Sequence, residues 1–457
     1  MEFSTEGLKP LAEALAQMIG NELKKEEGVT ARGIEEKLRR RIHEMGQMTY
    51  GMILTNQDGI PERELDCECG GKLRYRSRRP AKVLSVFDWV EYKRSYYAGC
   101  RCQQGQAPLD EKLGLEPGKV TAGLAALIGQ AGIELAFEYS SRWLEPFLLF
   151  HVSENTIRKE THRFGKLQSH REEEWKAHSQ DPAHLQERLR TAPHRPQRLY
   201  GSIDGALVRI EERQDGTTET EKWREMKVGC FYQVERVPER QHSHRHRKKH
   251  ARGHPPLRAK DMRYFCEIAE VDDFMPLFWA AGYQVNADLA EEIIFVCDGA
   301  KWIWRMVETY FPNAVQILDW YHAEERLEKV ANDVFPSGQA KTWLEDLITA
   351  MWDGDTNFVI AACDNLAAKS EIAAQAATYF RNNQYRMQYD HFRKLGYMIG
   401  SGTVESGCKQ IVTQRLKRSG AQWNLLGATL TAKARAAWLS GDWEILCSRR
   451  DQLPLAA

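Results

Sequence analysis

LYGSIDGALVRI (residues 199–210) is the stretch that decides the fold, together with EEIIFVCDGAKWIW (residues 291–304). In each, apolar residues lead to an Asp–Gly pair, Asp204–Gly205 in the first and Asp298–Gly299 in the second. A strand that ends in an acid is typical of open α/β sheets, which build their sites at the carboxyl ends of strands. We therefore expect Asp204 and Asp298 at one edge of a sheet, although either Asp–Gly pair could instead be a turn.

A third acid, Glu405, lies in GSGTVESGCKQ (residues 400–410), where a helix is predicted to begin just after the Gly-Ser-Gly turn. Three carboxylates at one sheet edge would hold two hard divalent cations, Mg²⁺ or Mn²⁺, and such sites perform phosphoryl transfer on nucleic acid. Glu405 could otherwise be a first-turn acid that the helix dipole favours. Asp319 also ends an apolar run and is the alternative to Asp298.

The pattern around these acids predicts three strands, a helix, and then alternating strands and helices. That order is typical of a ribonuclease-H-like α/β fold. The predicted core comprises residues 196–336 and 395–457, the latter ending in a closing helix, with a helical insertion at residues 337–394. The predicted strands are residues 198–210, 224–235, 262–271, 291–298 and 314–319, and the predicted helices between and after them are residues 273–284, 301–311 and 320–335.

Three further segments precede the core. Residues 1–60 carry apolar residues at helical spacing, which indicates a small helical bundle or an oligomerisation arm. Residues 61–117 form a cysteine-bearing β module, and residues 118–195 form a helical region. The stretch at residues 178–198, rich in Pro, His and charge, is predicted to be a linker.

The β module places two cysteine pairs on either side of a predicted hairpin. Four thiolates so arranged resemble a zinc ribbon, in which they hold one Zn²⁺ tetrahedrally. Both pairs here are C-x-C instead of the usual C-x-x-C, so the alternatives are an altered site, a lost site, a disulfide or ordinary cysteines. The four residues are Cys67, Cys69, Cys100 and Cys102.

Basic residues predict where DNA would bind. A helix-turn-helix is expected near residues 140–165, with Ser153 as N-cap and Arg158 and Lys159 on the exposed face of the second helix. From residue 240 to 260 there are eight Lys or Arg, five His and no acid, which indicates an exposed loop that contacts a polyanion. Phosphate contacts are predicted for Arg245, Arg247, Lys248 and Lys249 of this loop, and for Lys409, Arg415, Lys417 and Arg418 after Glu405.

Overall composition excludes several classes of protein. The 457 residues carry 64 basic and 64 acidic side chains, so only local basic tracts favour nucleic acid. No apolar run reaches the length of a membrane span, and the first residues lack the pattern of a secretory signal. We expect a cytosolic protein in a reducing compartment.

At this point the chain resembles bacterial insertion-sequence transposases of the DDE class, in particular the Kra-type group, which are related to Mutator-like transposases. The resemblance covers about residues 199–445, and the segment YY…APLDEKLGL after the hairpin also resembles the family. The family usually has C-x-x-C in both cysteine pairs, and Gly99 stands where one of those cysteines would be. The segments that carry the resemblance are SIDGALV with EMKVG, VCDGAKWIW, FPNAVQILDWYHAEERL and GSGTVESGCKQIVTQRLKRSGAQW.

The resemblance implies a catalytic triad of Asp204, Asp298 and Glu405. It also implies an accessory motif, Asp319 to His322, near the active site. The expected function is cutting of insertion-sequence ends and their joining to target DNA by two-metal phosphoryl transfer, in a homodimer or higher homo-oligomer associated with the bacterial nucleoid. The alternatives are a catalytically silent DNA-binding regulator and a structure-selective nuclease on the same fold.

Overall fold

The computed structural model describes residues 8–25, 28–191, 194–214, 217–237 and 257–452. The chain divides into two compact units, which we call the N-terminal unit and the core unit. The N-terminal unit is Met1–Thr161 with Cys447–Ala457, and the core unit is His162–Leu446. None of the described helices is long and apolar enough to cross a membrane.

The N-terminal unit begins with the predicted helices and continues with a three-stranded antiparallel sheet. The Thr30 hydroxyl accepts a hydrogen bond from the Gly33 amide and so caps the second helix. Leu54 of that helix packs with Val83, Val90 and Tyr92 of the hairpin, which covers one face of the sheet. The elements are α1 (Lys9–Leu23), α2 (Ala31–Asn56), β1 (Glu64–Asp66), β2 (Lys72–Ser85), β3 (Asp88–Ala98), α3 (Pro108–Lys112), α4 (Ala122–Glu134), α5 (Phe137–Leu148) and α6 (Glu154–Gln180), the last of which continues into the core unit.

The core unit is built on a five-stranded mixed sheet, which confirms the predicted α/β class. The strands are β4 (Arg198–Gln214), β5 (Thr217–Arg236), β6 (Leu257–Ile268), β7 (Glu292–Cys297) and β8 (Val315–Leu318). Their spatial order is β6-β5-β4-β7-β8. The first three are antiparallel to one another, whereas β7 runs parallel to β4 and β8 runs parallel to β7. All five lie where the sequence predicts strands.

Aromatic residues fill the space between the sheet and the two helices that cover one face, α8 (Val271–Gln284) and α9 (Lys301–Tyr310). Phe231 and Phe295 of the sheet contact Phe278 of α8, with ring centroids 5.8 and 5.7 Å apart. A Cβ on Gly201 would lie 2.2 Å from the Phe295 ring, so this position of β4 accepts only glycine. The packing fixes how β4 and β7 lie side by side.

The remaining helices of the core unit complete the predicted pattern. Residues 337–394 are helical, as expected of the insertion, and the chain then returns with the short helix that carries Glu405. A five-residue π-helical turn at Lys409–Thr413 follows that helix. The helices are α10 (Trp320–Val334), α11 (Ser337–Trp352), α12 (Thr356–Asp364), α13 (Glu371–Asn382), α14 (Tyr389–Lys394), α15 (Gly402–Cys408), α16 (Gln414–Leu416), α17 (Leu425–Leu439) and α18 (Trp443–Gln452).

The predicted linker at residues 178–198 is wrong in its middle part, where α7 (Pro182–Arg190) forms. Asp181 caps this helix by accepting a hydrogen bond from the Ala183 amide, and Pro182 occupies the first turn, where its missing N–H costs nothing. Arg188 anchors the helix through an ion pair with Asp288. Composition alone indicated a linker because it contains no information on helix capping or on contacts with the rest of the protein.

Candidate active site

Asp204 lies in β4, and Asp298 directly follows β7, the parallel neighbour of β4. In the pairing of β4 with β7, Arg198 lies opposite Glu292 and Gly201 lies opposite Phe295. The same register, continued by three residues, brings Asp204 level with Asp298. Asp298 follows the end of β7 as predicted, whereas the predicted strand end at Asp204 is wrong, because β4 continues to Gln214 in its pairing with β5.

Asp298 is partly buried in the loop between β7 and α9. One of its carboxylate oxygens accepts a hydrogen bond from the Ala300 amide at 2.9 Å. Burial raises the pKa of Asp298, and the negative charge of Asp204 raises it further. A cation next to Asp298 would offset both the burial of this carboxylate and the nearby negative charge. Asp298 also lines a cavity of about 240 Å³ with His322, Arg326, Lys329 and Tyr379, among others.

Asp319 follows β8 and is fully buried, with 0 % exposure. Its amide donates a hydrogen bond to the Cys297 carbonyl, which fixes it beside the end of β7. Its carboxylate accepts hydrogen bonds from the Tyr321 amide at 2.9 Å, from His322 Nδ1 at 3.0 Å and from Ser401 Oγ at 2.6 Å. Asp319 thus caps α10 and orients two neighbouring side chains.

His322 lies one turn into α10, half-buried. The hydrogen bond to Asp319 raises the pKa of His322 to about 9, and the charges of Asp319, Glu405 and Asp298 contribute. The imidazole therefore carries a positive charge at neutral pH. Its Nδ1 lies 3.7 Å from Glu405 Oε1, so it links the buried acid to the partly exposed one.

Glu405 lies in the first turn of α15, as predicted, and accepts a hydrogen bond from Ser401 Oγ at 3.1 Å. Burial raises the pKa of Glu405, and the charge of Asp319 adds to the effect. One turn further along, the buried Cys408 thiol is next to Asp204; burial raises the pKa of that thiol, and the charge of Asp204 contributes. Helix α15 therefore lies close to Asp204 through Cys408 and to the Asp319–His322 pair through Glu405.

The ligand atoms that lie closest together differ from the predicted triad. Within the described residues, Asp319, His322 and Glu405 form a group whose ligand atoms all lie within 4.8 Å of one another. Asp204 and Asp298 are not in that group. Because three donors already occupy the Asp319 carboxylate, Asp298 is the better placed of the two to offer an oxygen to a cation from the cavity.

Sequence reasoning missed Ser401. Its side chain is 2 % exposed and bridges Asp319 and Glu405, which are far apart in the chain. Its place four residues before Glu405 on the same helical face was the available signal. Nothing in the sequence indicated that Asp319 would be the second partner.

The four cysteines of the N-terminal unit come together as a second group, with all four Sγ atoms within 4.8 Å of one another. Neighbouring Sγ atoms lie 3.1 to 3.5 Å apart. Thiolates that hold one Zn²⁺ tetrahedrally at about 2.3 Å lie about 3.8 Å apart, so modest expansion would admit the ion. A Cβ on Gly71 would lie 2.5 Å from Cys100 Sγ, so only glycine leaves room here. The C-x-C spacing is therefore compatible with a Cys₄ zinc site.

The residues predicted to bind DNA differ in their exposure and in whether the structure describes them. Ser153 caps α6 through the Thr156 amide, as predicted, and Arg158 and Lys159 are exposed on its first turns. Lys409, Lys417 and Arg418 are also exposed. Four predicted contacts in the basic tract lie outside the described residues: Arg245, Arg247, Lys248 and Lys249.

Arg415 does not fit the phosphate contact predicted for it. It is 2 % exposed, and its guanidinium lies 4.9 Å from the centre of the Trp423 ring. Trp423 is itself buried, and its Nε1 donates to the Leu416 carbonyl at 3.0 Å. Arg415 therefore packs inside the core unit instead of facing a groove.

Comparisons with the models of protein families and with curated protein sequences find no match to this chain.

Proposed function

We propose that this protein is a DDE-class DNA transposase that cuts the ends of an insertion sequence and joins them to target DNA. The observation that carries the proposal is that Asp204 of β4 lies level with Asp298, which directly follows the parallel strand β7, and that the Glu405 helix is close to Asp204. A ribonuclease-H-like core is the interpretation of the sheet that best fits this arrangement. The strand order β6-β5-β4-β7-β8, with three antiparallel strands followed by two parallel ones, supports it.

Carboxylate oxygens are hard donors that suit Mg²⁺ or Mn²⁺, so the residues present fit the two ions expected. Asp204 would contact both ions, while Asp298 and Glu405 would hold one each. When bound, such ions lower the pKa of the attacking water or 3′-hydroxyl and stabilise the leaving oxygen. The raised pKa values of Asp298 and Glu405 support this role, because a cation would relieve the burial of their charges.

His322 would act on the DNA through its positive charge. Held by Asp319 on one ring nitrogen, the imidazolium lines the same cavity as Asp298 and can pair with a phosphate oxygen there. Asp319 itself would hold His322 and Ser401 in place without binding the metal. Arg326 and Lys329 of the same cavity supply further positive charge to a DNA backbone.

The N-terminal unit would bind DNA. Arg158 and Lys159 would contact phosphates or bases from the second helix of a helix-turn-helix. The four cysteines would hold a structural Zn²⁺ that stabilises the β2–β3 hairpin. A cytosolic, nucleoid-associated homodimer or higher homo-oligomer follows from this proposal, because two transposon ends must be paired.

A strand-transfer assay with Mg²⁺ tests the proposal. Joined product is expected from the wild-type protein, and Asp204→Asn should abolish cutting while DNA binding persists, since the exchange preserves side-chain shape. Asp273→Asn, which changes an exposed acid in α8, is the matched control and should cut normally.

The assay also separates the alternatives. Cutting without joining would indicate a structure-selective nuclease. Binding without cutting would indicate a regulator that has lost catalysis. Normal cutting by Asp204→Asn would remove Asp204 from the site and with it the proposed mechanism.

A further inference from the structure

A second cavity opens beside the candidate active site, between α9 and α13. It has a volume of about 630 Å³ and lies entirely in the core unit, and we call it the side cavity. Gly299 and Tyr379 line the side cavity and also the smaller cavity that contains Asp298, so the two cavities meet at these residues. A Cβ on Gly299 would lie 2.1 Å from the Tyr379 ring, so only glycine permits the ring to lie at this junction.

The side cavity has more positive than negative charge in its lining. The cationic side chains there are Lys301, Arg305 and Arg386, whereas the acid among its lining residues is Glu308. Arg386 pairs with Glu308 at 2.8 Å, and Arg305 pairs with Asp272, an exposed acid outside the cavity. Lys301 is exposed and forms no ion pair with the residues that the structure describes. An anion in the side cavity would therefore meet an ammonium group that no carboxylate neutralises.

Trp304 adds a hydrogen-bond donor that the fold leaves unused. It lies three residues after Lys301 and so shares its face of α9. The residue is 3 % exposed, and the Arg386 guanidinium carbon lies 4.4 Å from the centre of its ring. The buried Nε1 has no acceptor within the described part of the chain. Because buried N–H groups in folded proteins are nearly always paired, this one indicates that a ligand in the side cavity supplies the acceptor.

These groups fit the phosphates of an unpaired nucleic-acid strand. Phosphate oxygens accept hydrogen bonds and pair with ammonium and guanidinium groups. Arg326 lies in the adjoining cavity, 3.9 Å from the centre of the Tyr379 ring, so cations stand on both sides of the junction. The side cavity has the volume of a small-ligand pocket, about 300–1,000 Å³, which suits the backbone of one strand better than a duplex. Grooves for unpaired strands likewise combine positive charge with aromatic rings.

We propose that the side cavity binds the backbone of an unpaired DNA strand that continues to Asp298. Lys301 would pair with one phosphate, and Trp304 Nε1 would donate a hydrogen bond to an oxygen of the same group. Arg326 would contact the strand on the far side of the junction. The inference rests on the proposed function, because it assigns the form of DNA that enters the site and the face of α9 that guides it.

Fluorescence anisotropy with a labelled oligothymidylate tests the side cavity in the full chain, with EDTA present so that no cutting occurs. For a single strand, the slope of log affinity against log salt is about 0.7 per phosphate contacted. Lys301→Ala should therefore lower that slope by about 0.7. Lys341→Ala, which removes an exposed lysine of α11, is the matched control and should leave the slope unchanged. An unchanged slope in Lys301→Ala, or an equal loss with a duplex of the same length, would overturn the proposal.

Trp304→Phe tests the unused donor, because it removes the N–H and keeps an aromatic ring. Oligothymidylate binding should weaken about tenfold, as expected from loss of a hydrogen bond to a charged group. The melting temperature of the free protein should not fall through loss of a hydrogen bond, since the buried Nε1 has none to lose within the described structure. Trp343→Phe, in α11 and outside the lining of the side cavity, should bind normally. Normal binding by Trp304→Phe would overturn the contact assigned to Trp304.

The same measurements distinguish this inference from the proposed function. If the wild-type protein cuts and joins DNA but Lys301→Ala binds oligothymidylate with the wild-type slope, the proposed function stands and the strand site is wrong. If Lys301→Ala lowers the slope but the wild-type protein neither cuts nor joins, the strand site is supported and the proposed function is wrong.

Discussion

At the scale of single residues, Ser401 is the side chain that ties the candidate site together. Its one hydroxyl proton is shared between Asp319 at 2.6 Å and Glu405 at 3.1 Å, so it sets where the Glu405 carboxylate lies. Ser401 thereby connects the acid proposed to bind metal with the acid that holds His322.

Removing that hydroxyl should loosen Glu405. We expect Ser401→Ala to raise the Mn²⁺ concentration needed for half-maximal DNA cutting by about tenfold, which corresponds to one lost hydrogen bond to a charged group. Ser406→Ala, one turn away and bonded only to Gln410 in the described contacts, is the control and should leave the metal requirement unchanged. An unaltered Mn²⁺ requirement in Ser401→Ala would contradict a positioning role.

The pKa of His322 depends on Asp319. Asp319→Asn removes the negative charge that, with the hydrogen bond to it, holds the pKa of His322 at about 9, so this pKa should fall toward its ordinary value. NMR titration of the ring in metal-free protein measures it directly. A value near 9 that survives the substitution would mean that Glu405 and Asp298 suffice to keep the imidazole charged.

The raised pKa of His322 also makes the stability of the folded protein depend on pH. Because the folded pKa of His322 lies above the ordinary value of 6.5, its charged form stabilises the folded state fully below pH 6.5. That contribution is lost as the pH rises through about 9. We expect His322→Gln to lower the free energy of unfolding by about 1–2 kcal/mol at pH 6, after allowance for partial exposure, and by much less above pH 9. Urea unfolding with EDTA present at both pH values checks this, and a pH-independent difference would exclude the ion pair.

At the scale of elements, the β2–β3 hairpin is expected to depend on zinc. Its four cysteines come from short turns that contain few apolar residues, and the small cluster of buried residues there adds only Leu73 and Tyr97 to Cys67 and Cys100. Metal binding would therefore contribute directly to folding of this segment. We expect one zinc ion per chain by elemental analysis of the purified protein.

Replacing an exposed ligand tests this expectation. Cys102→Ser should lower the zinc content to well below one ion per chain and should increase hydrogen exchange across β2 and β3. Cys447→Ser, which changes a cysteine outside the group, should affect neither quantity. Full zinc retention in Cys102→Ser would show that these cysteines do not form the site.

Elements also show what local pattern could predict. The five strands and the helices around them follow from apolar runs and helical spacing, but only Asp298–Gly299 marks a strand end, since β4 continues past Asp204–Gly205 to Gln214. Arg415 was misjudged because its charge was taken to indicate exposure, although helical spacing places it on the buried face with Val404, Cys408 and Ile411. The burial of a charged side chain depends on tertiary packing, as does the bridge through Ser401.

At the scale of the whole molecule, zero net charge means that any affinity for DNA must come from local basic side chains. Binding of DNA releases counterions in proportion to the phosphates neutralised, so the slope of log affinity against log salt counts those contacts. We expect Arg158→Ala and Lys159→Ala each to lower that slope by about one. Lys369 is an exposed lysine between α12 and α13, and Lys369→Ala should leave the slope unchanged.

Fluorescence anisotropy with a labelled transposon end, measured from low to physiological salt, gives the slope for each variant. A uniform loss of affinity across unrelated sequences would assign both residues to the DNA backbone, whereas a loss confined to the transposon end would assign them to base edges. If the slope stays at its wild-type value in both variants, the first turns of α6 do not contact DNA, and binding must be sought on the exposed basic residues after α15.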